Sequence, residues 1–240
     1  ADLDGDQRAD LLVAKDSSDQ LVVYGGRGDG GFRSTPLAAV STGRGPCSIA
    51  VGLFDADARP DVALVLCQDA AAQVRLNVGG TQLLGAPRSL VTLGGRATPR
   101  RVLTADMNAD GQTDLVVSNS DQSTLAVFSV LLGQGTGDFA TALTAPADSP
   151  SLDTIQVADV DGDGFPDVLA APSSGSIDGV RVLLGDGFGG LRSAQRFTGP
   201  SALSANLRGM VAGDVTGDDK ADILFTASTA GVAVLRNTSQ

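Results

Sequence analysis

One nine-residue acidic pattern is written five times along this chain, and each copy runs into a short apolar segment. The copies are Asp2–Asp10 (DLDGDQRAD), Leu53–Asp61 (LFDADARPD), Asp106–Asp114 (DMNADGQTD), Asp159–Asp167 (DVDGDGFPD) and Asp214–Asp222 (DVTGDDKAD). Their closing aspartates fall at 10, 61, 114, 167 and 222, so the spacing runs 51, 53, 53 and 55 residues. An internal period of about 50 residues marks a repeat architecture in which each unit is one supersecondary motif.

The segments around each loop share a grammar. Before it stands a β-prone stretch: Ser48–Gly52, Arg101–Ala105, Thr154–Ala158 and Gly209–Gly213. After it comes a second, Leu11–Ala14, Val62–Leu66, Leu115–Ser118, Val168–Ala171 and Ile223–Thr226, and then a third, Leu21–Tyr24, Val74–Val78, Ala126–Leu132, Val180–Leu184 and Val232–Leu235. A glycine-rich turn and a weaker fourth strand end the unit. Short β-branched runs between Gly, Asp and Ser clusters read as strands, and no stretch keeps a 3.6-residue period long enough for a sizeable helix.

Four short strands per 50-residue unit predict an all-β chain, a β-propeller of four-stranded blades. The expected repeats are about 1–46, 47–99, 100–152, 153–206 and 207–240 within a single domain 1–240. The first lacks strand one and the last stops after strand three. The pattern therefore predicts eighteen strands in about five blades, part of a longer propeller such as a seven-bladed one. Small residues in the first strands (Ala50, Gly52, Ala105, Ala158, Gly213) suit a crowded centre.

Composition sharpens what the loops are for. The chain has 240 residues, 42% hydrophobic, and a formal charge of −11, with no His and no Trp. That length supports a real core. All 28 acidic residues are Asp, and 17 of them sit at alternating loop positions, so the acidity belongs to sites rather than to a solvated coat. No basic stripe invites nucleic acid, and no apolar run approaches the ~18 residues of a membrane span. No secretory leader is visible, which fits a trimmed or mature chain, or an intracellular one.

Loop positions one, three, five and nine carry oxygen side chains. Position seven varies among Arg8, Arg59, Gln112, Phe165 and Lys220, so only its backbone carbonyl can serve as a constant ligand. Alternating carboxylates plus one carbonyl wrap a hard cation, and an all-oxygen set without His or Cys selects Ca²⁺ or Mg²⁺. The expected ligands are Asp2, Asp4, Asp6, Arg8 O and Asp10; Asp55, Asp57, Arg59 O and Asp61; Asp106, Asn108, Asp110, Gln112 O and Asp114; Asp159, Asp161, Asp163, Phe165 O and Asp167; and Asp214, Thr216, Asp218, Lys220 O and Asp222. The loops are unequal. Asn108 drops a charge, Thr216 is a weaker ligand, and Leu53 removes a ligand outright, so the second loop is expected to be weakest or empty. Five divalent ions would offset nearly all of the −11 charge. An EF-hand is excluded, because that loop needs a closing Glu and flanking helices, and this chain has no Glu.

The D-x-D-x-D-G-x-x-D spacing resembles the FG-GAP/VCBS repeat of integrin-α-type propellers, in five copies covering nearly the whole chain. The resemblance implies that each loop joins the first two strands of a blade and that the loops bind calcium on one face.

Cys47 and Cys67 lie ten residues either side of Asp57. Across an antiparallel hairpin they would face each other, which permits a disulfide; two buried thiols are the other reading. Arg44, Arg96, Arg100, Arg101 and Arg208 cluster before the first strands. They read either as a ligand face for acidic glycans or carboxylates, or as solvated balance to an acidic body. Arg27-Gly28-Asp29 and Asn237-Thr238-Ser239 match an integrin-recognition tripeptide and a glycosylation sequon, both common by chance.

Without His there is no Ser-His-Asp or Cys-His arrangement, and a Ser-Lys pair would have to use Lys15 or Lys220. The Asp outside the loops, such as Asp121, Asp148, Asp153 and Asp178, form no repeated constellation. The expected function is a non-catalytic, extracellular, calcium-binding interaction or adhesion module for a protein or glycan. A carbohydrate-active enzyme or lectin domain is the alternative. Another is a structural building block that self-associates through incomplete edge blades.

Overall fold

A computed structural model describes residues 1–92, 98–120, 127–140, 143–147, 152, 154–171, 179–197, 207–227 and 231–238. Of the residues singled out above, Arg96, Asp121, Ala126, Asp148, Asp153, Asp178, Ser239 and the side chain of Arg208 lie outside this description.

The described residues form eighteen strands in five antiparallel sheets. The first sheet runs β1 (Leu11–Lys15), β2 (Gln20–Tyr24), β3 (Ala38–Ser41), and the second β4 (Pro46–Gly52), β5 (Asp61–Leu66), β6 (Ala71–Gly79), β7 (Leu83–Thr92). The third runs β8 (Thr98–Ala105), β9 (Asp114–Ser120), β10 (Val127–Leu131), β11 (Leu143–Pro146), and the fourth β12 (Thr154–Ala158), β13 (Asp167–Ala171), β14 (Val180–Leu183), β15 (Gln195–Phe197). The fifth is β16 (Leu207–Gly213), β17 (Asp222–Ala227), β18 (Gly231–Leu235). Every sheet is a meander in chain order, so sequence neighbours are spatial neighbours. The one helical turn among the described residues is the 3₁₀ segment Asp16–Ser18.

The chain packs as two compact units, Ala1–Thr104 with Gln112–Val117 and Leu131–Ala142, and Ala105–Gly111 with Ser118–Val130 and Leu143–Gln240. In the first unit, β5 shows how a core is built from one strand. Val62 and Leu64 join Leu3, Leu21 and Val23 on one side, whereas Ala63 and Val65 join Phe54, Val74, Val102 and Val117 on the other. Successive side chains of a strand point to opposite faces. Both faces of β5 are covered, so it reads as an unbroken apolar run rather than as an alternating one. Truncating a side chain such as Leu64 there costs about 2–5 kcal/mol. The second unit has a matching core of Leu169, Val180, Val182, Met210, Ile223 and Phe225.

Within each unit, sheets meet at their first strands. The Val102 N–H donates to Ser48 Oγ, and Thr104 Oγ1 donates to the Val51 carbonyl, each at 3.3 Å, linking β8 to β4. In the second unit β12 lies against β16.

The hairpins place the acidic loops. Gly52 pairs with Asp61, Ala158 with Asp167 and Gly213 with Asp222, so the ninth loop residue opens the second strand. The β4–β5 register shifts between Pro46 and Ser48. Cys47 sits in that shift and bonds to Cys67, just beyond β5, with Cα atoms 6.0 Å apart.

Candidate functional site

The ninth loop position is the most uniform part of the site. Asp10, Asp61, Asp114, Asp167 and Asp222 are all buried. One carboxylate oxygen accepts the N–H of the second loop residue: Leu3, Phe54 and Val160 at 2.8 Å, Val215 at 3.2 Å. The other oxygen accepts an N–H from just after the third strand or its end: Gly26 at 2.9 Å, Gly133 at 2.7 Å, and Asn77, Gly185 and Asn237 at 2.8 Å. A buried carboxylate that accepts backbone N–H groups on both oxygens satisfies donors that would otherwise cost about 1–3 kcal/mol each. Each oxygen keeps a second lone pair. At Gly185 an added Cβ would lie 2.5 Å from the Pro166 carbonyl, so the close approach of the third strand to the loop requires glycine there.

The first position curls the loop. Asp2 accepts the N–H groups of Gly5 and Gln7, Asp159 those of Gly162 and Gly164, and Asp106 those of Asp110 and Gly111. Asp214 accepts from Thr216, Gly217, Asp218 and Asp219, and these N–H donors hold its carboxyl below the usual range. Such side-chain turns bend the backbone locally. The fourth and sixth residues of these four loops are left-handed: Gly5 and Gln7, Ala109 and Gly111, Gly162 and Gly164, Gly217 and Asp219.

That curl gathers carboxylates. Asp2, Asp4 and Asp6 offer oxygens within 4.8 Å of one another, as do Asp159, Asp161 and Asp167, and either group can hold a metal ion. Both belong to the loops with four aspartates. Burial raises the Asp4 carboxyl pKa, and the charges of Asp10 and Asp6 add to it against the N–H of Asp6. Asp163 lies outside the second group and accepts the N–H of Phe165 at 2.9 Å. Asn108 Nδ2 donates to Asp110 at 2.9 Å, supplying by hydrogen bond what a carboxylate there could not.

The second loop is built differently. Leu53 stands exposed at position one, and Ala56 at position four is not left-handed. The Arg59 guanidinium pairs with Asp57, while its Nε donates to the Asn77 carbonyl at 2.8 Å.

Several residues to which the sequence assigned no structural role carry the joints between sheets. Asn77 Nδ2 donates to the Leu3 carbonyl at 2.8 Å, and Asn237 Nδ2 to the Val160 carbonyl at 2.5 Å. In each case the acceptor is the second residue of the preceding acidic loop. Gly137 N–H does the same to Phe54 at 2.7 Å. Buried Arg75 donates to the carbonyls of Gly85 and Ser41, joining β6 to β3 and β7, and its burial lowers its pKa. An Arg inside an apolar strand was the available signal for Arg75; an Asn where other repeats have Gly was the signal for Asn77 and Asn237.

Of the arginines named as a ligand face, Arg44 is committed to Asp69, by its Nε at 2.7 Å and its backbone N–H at 2.6 Å. Arg100 and Arg101 are exposed on β8. The Arg27-Gly28-Asp29 tripeptide closes on itself: Arg27 pairs with Asp29 at 3.2 Å inside a turn that 186–190 repeats, both closed by an N–H to the carbonyl four residues on. The sequon Asn237 spends its amide nitrogen on Val160 and Ala221 carbonyls, the atom a glycan would need.

An all-β chain of meandering sheets, each hinged on an acidic hairpin loop, defines a repeat protein of the acidic-loop class. The chain belongs to the FG-GAP-like repeat family, whose model matches residues 2–64, 54–117, 106–170 and 159–225. Each match begins in one acidic loop and ends in or beyond the strand after the next. No curated protein matches the chain in sequence. Among solved structures, a crystal structure of BBS1N in complex with ARL6DN, soaked with lead, is 14% identical with a TM-score of 0.52, covering 100% of this chain and 78% of that one. The V. cholerae biofilm matrix protein Bap1 is 15% identical with a TM-score of 0.54, and the match covers 100% of this chain and 37% of that one. The chain thus spans well under half of the biofilm matrix protein.

Proposed function

We propose that this chain is a calcium-stabilised β-propeller segment that acts outside the cell as a non-catalytic interaction module for a protein or a glycan. The observation that carries the reading is the pair of three-carboxylate groups, Asp2/Asp4/Asp6 and Asp159/Asp161/Asp167, set in the hairpins of an FG-GAP-like chain. The donor set fits calcium: hard oxygens only, several per loop, with room for carbonyls and water in a flexible coordination shell. Calcium in these loops would neutralise carboxylates that otherwise repel, and binding only to the native state adds to its stability. The other loops would hold it less well, through Asn108 in the third and Thr216 in the fifth.

An extracellular setting is supported by the Cys47–Cys67 bond and by the likeness to a biofilm matrix protein. Among the described residues no helix is long and apolar enough to cross a membrane.

Thermal melting with and without chelator tests the metal. At calcium a hundredfold above its Kd, one linked site adds about 2.7 kcal/mol, so melting should fall by several degrees on chelation, and an unchanged melt rejects the reading. A glycan array and pull-down by immobilised chain then separate a lectin from a protein-binding module.

A further inference from the structure

We infer that the second acidic loop carries its own cation, the guanidinium of Arg59, in place of a bound metal. The inference rests on the calcium reading of the other loops, from which this one departs.

The residues at this loop do not fit the ion. Position one, which curls the other four loops, is Leu53, 48% exposed and without an oxygen to offer. Ala56 keeps an ordinary backbone conformation where the fourth residue of each other loop is left-handed, and Asp55, Asp57 and Asp61 are not among the three-carboxylate groups of the described residues. Arg59 instead brings a positive charge to Asp57. Its position is set from behind, because Nε donates to the Asn77 carbonyl at 2.8 Å. Asn77 is in turn held by Asp61, which accepts its N–H at 2.8 Å. A planar guanidinium anchored at one nitrogen and paired at another is held in place although half of the side chain stays exposed. The first loop has an arginine at the same position, but there Arg8 and Arg33 stand 4.0 and 3.5 Å from Asp6 and the carboxylates still converge.

The next repeat of the same chain also holds this hairpin. Asp55 forms a β-bridge with Thr136, Gly137 N–H donates to the Phe54 carbonyl at 2.7 Å, and the Phe54 ring meets Phe139 edge-on at 5.6 Å. This hairpin is therefore pinned from both sides without an ion, and it should stay ordered when the other loops lose theirs.

Two measurements on the full chain test this. In equilibrium dialysis with radiolabelled calcium, Asp161→Asn should lose one ion per chain, whereas the Asp55→Asn, Asp57→Asn double variant should lose none. Loss of an ion by the double variant overturns the inference. In chelator, Arg59→Gln should lower the melting temperature of the metal-free chain by about 2–4 °C, and an unchanged chelator melt overturns the inference as well. If the wild-type chain takes up no calcium, the metal reading of the other loops fails, and the chelator melt of Arg59→Gln still decides whether the guanidinium holds this loop.

Discussion

Asp167 Oδ1 accepts the backbone N–H of Gly185 at 2.8 Å, across eighteen residues of chain. The other oxygen accepts from Val160, so one buried carboxylate ties the start of the hairpin loop to the end of β14. Asp10, Asp61 and Asp222 keep both bonds of this staple, and Asp114 keeps the one to the Gly133 N–H. Replacing Asp167 with Ala orphans two N–H groups at about 1–3 kcal/mol each. Denaturant unfolding should therefore lose about 2–6 kcal/mol. Gly185→Ala tests the same closure from its other side, because the new methyl meets the Pro166 carbonyl. It should destabilise with the carboxylate intact, and a neutral result would mean that the third strand is not held against the loop.

The repeat period, the strand order and the hinge role of the acidic loops were legible in the sequence because they depend on local pattern. Apolar runs between Gly and Asp clusters announce strands wherever they fall. What was not legible is what side chains reach. Nothing in the sequence says that Asp61 bonds to Asn77 sixteen residues away, that Asn77 crosses to Leu3, or that Arg59 pairs with Asp57. Those contacts depend on how sheets stack. The irregular loop was visible as a missing ligand at Leu53, but the guanidinium that fills in for it was hidden, since position seven varies among unrelated residues.

The staples also set a pH dependence. Burial raises the Asp61 and Asp167 carboxyls above the ordinary value of 3.8, against the N–H donors that lower them, and nearby loop aspartates push the same way as burial. A raised folded-state pKa means that the native state holds the extra proton between the unfolded and folded values. The stability from that proton is present at low pH and lost as pH rises through the folded pKa. Asp222 has the opposite sign: the Asn237 N–H leads in lowering it below 3.8, so its contribution is lost only as pH falls through that lower value. The metal-free chain should thus lose stability as pH climbs from the ordinary carboxylate range through the raised Asp61 and Asp167 values, and weaken again below that range. Added calcium should invert the upper slope, because ligands must be deprotonated to bind it. A chelator melt that climbs steadily to alkaline pH would contradict this.

Asn77 and Asn237 are expected to act as joints. Removing the amide of Asn77 leaves the Leu3 carbonyl without its donor and frees the Gly79 N–H that Asn77 Oδ1 accepts. Asn77→Ala should cost about 1–3 kcal/mol in chemical denaturation, and Asn77→Asp, which cannot donate, should recover little of it. Asn237 follows the same logic at Val160. Expressed in a eukaryotic secretory cell, the folded chain should leave Asn237 unglycosylated by intact mass, since its nitrogen is already bonded to two carbonyls.

The Cys47–Cys67 bond closes the second hairpin twenty residues apart, around the loop read here as free of metal. A cross-link of that span restrains the unfolded chain by about 3 kcal/mol in the loop-entropy model. Reduction should therefore lower the melting temperature whether or not calcium is present. The comparison that matters is between the two perturbations. Chelation acts on loops such as Asp159–Asp167, reduction acts on Leu53–Asp61, and effects at sites without shared partners add. Melts with chelator alone, reductant alone and both together should give shifts that sum. A reductant effect that vanishes once calcium is removed would place the disulfide and the metal on one joint, and would count against a second hairpin that stands by itself.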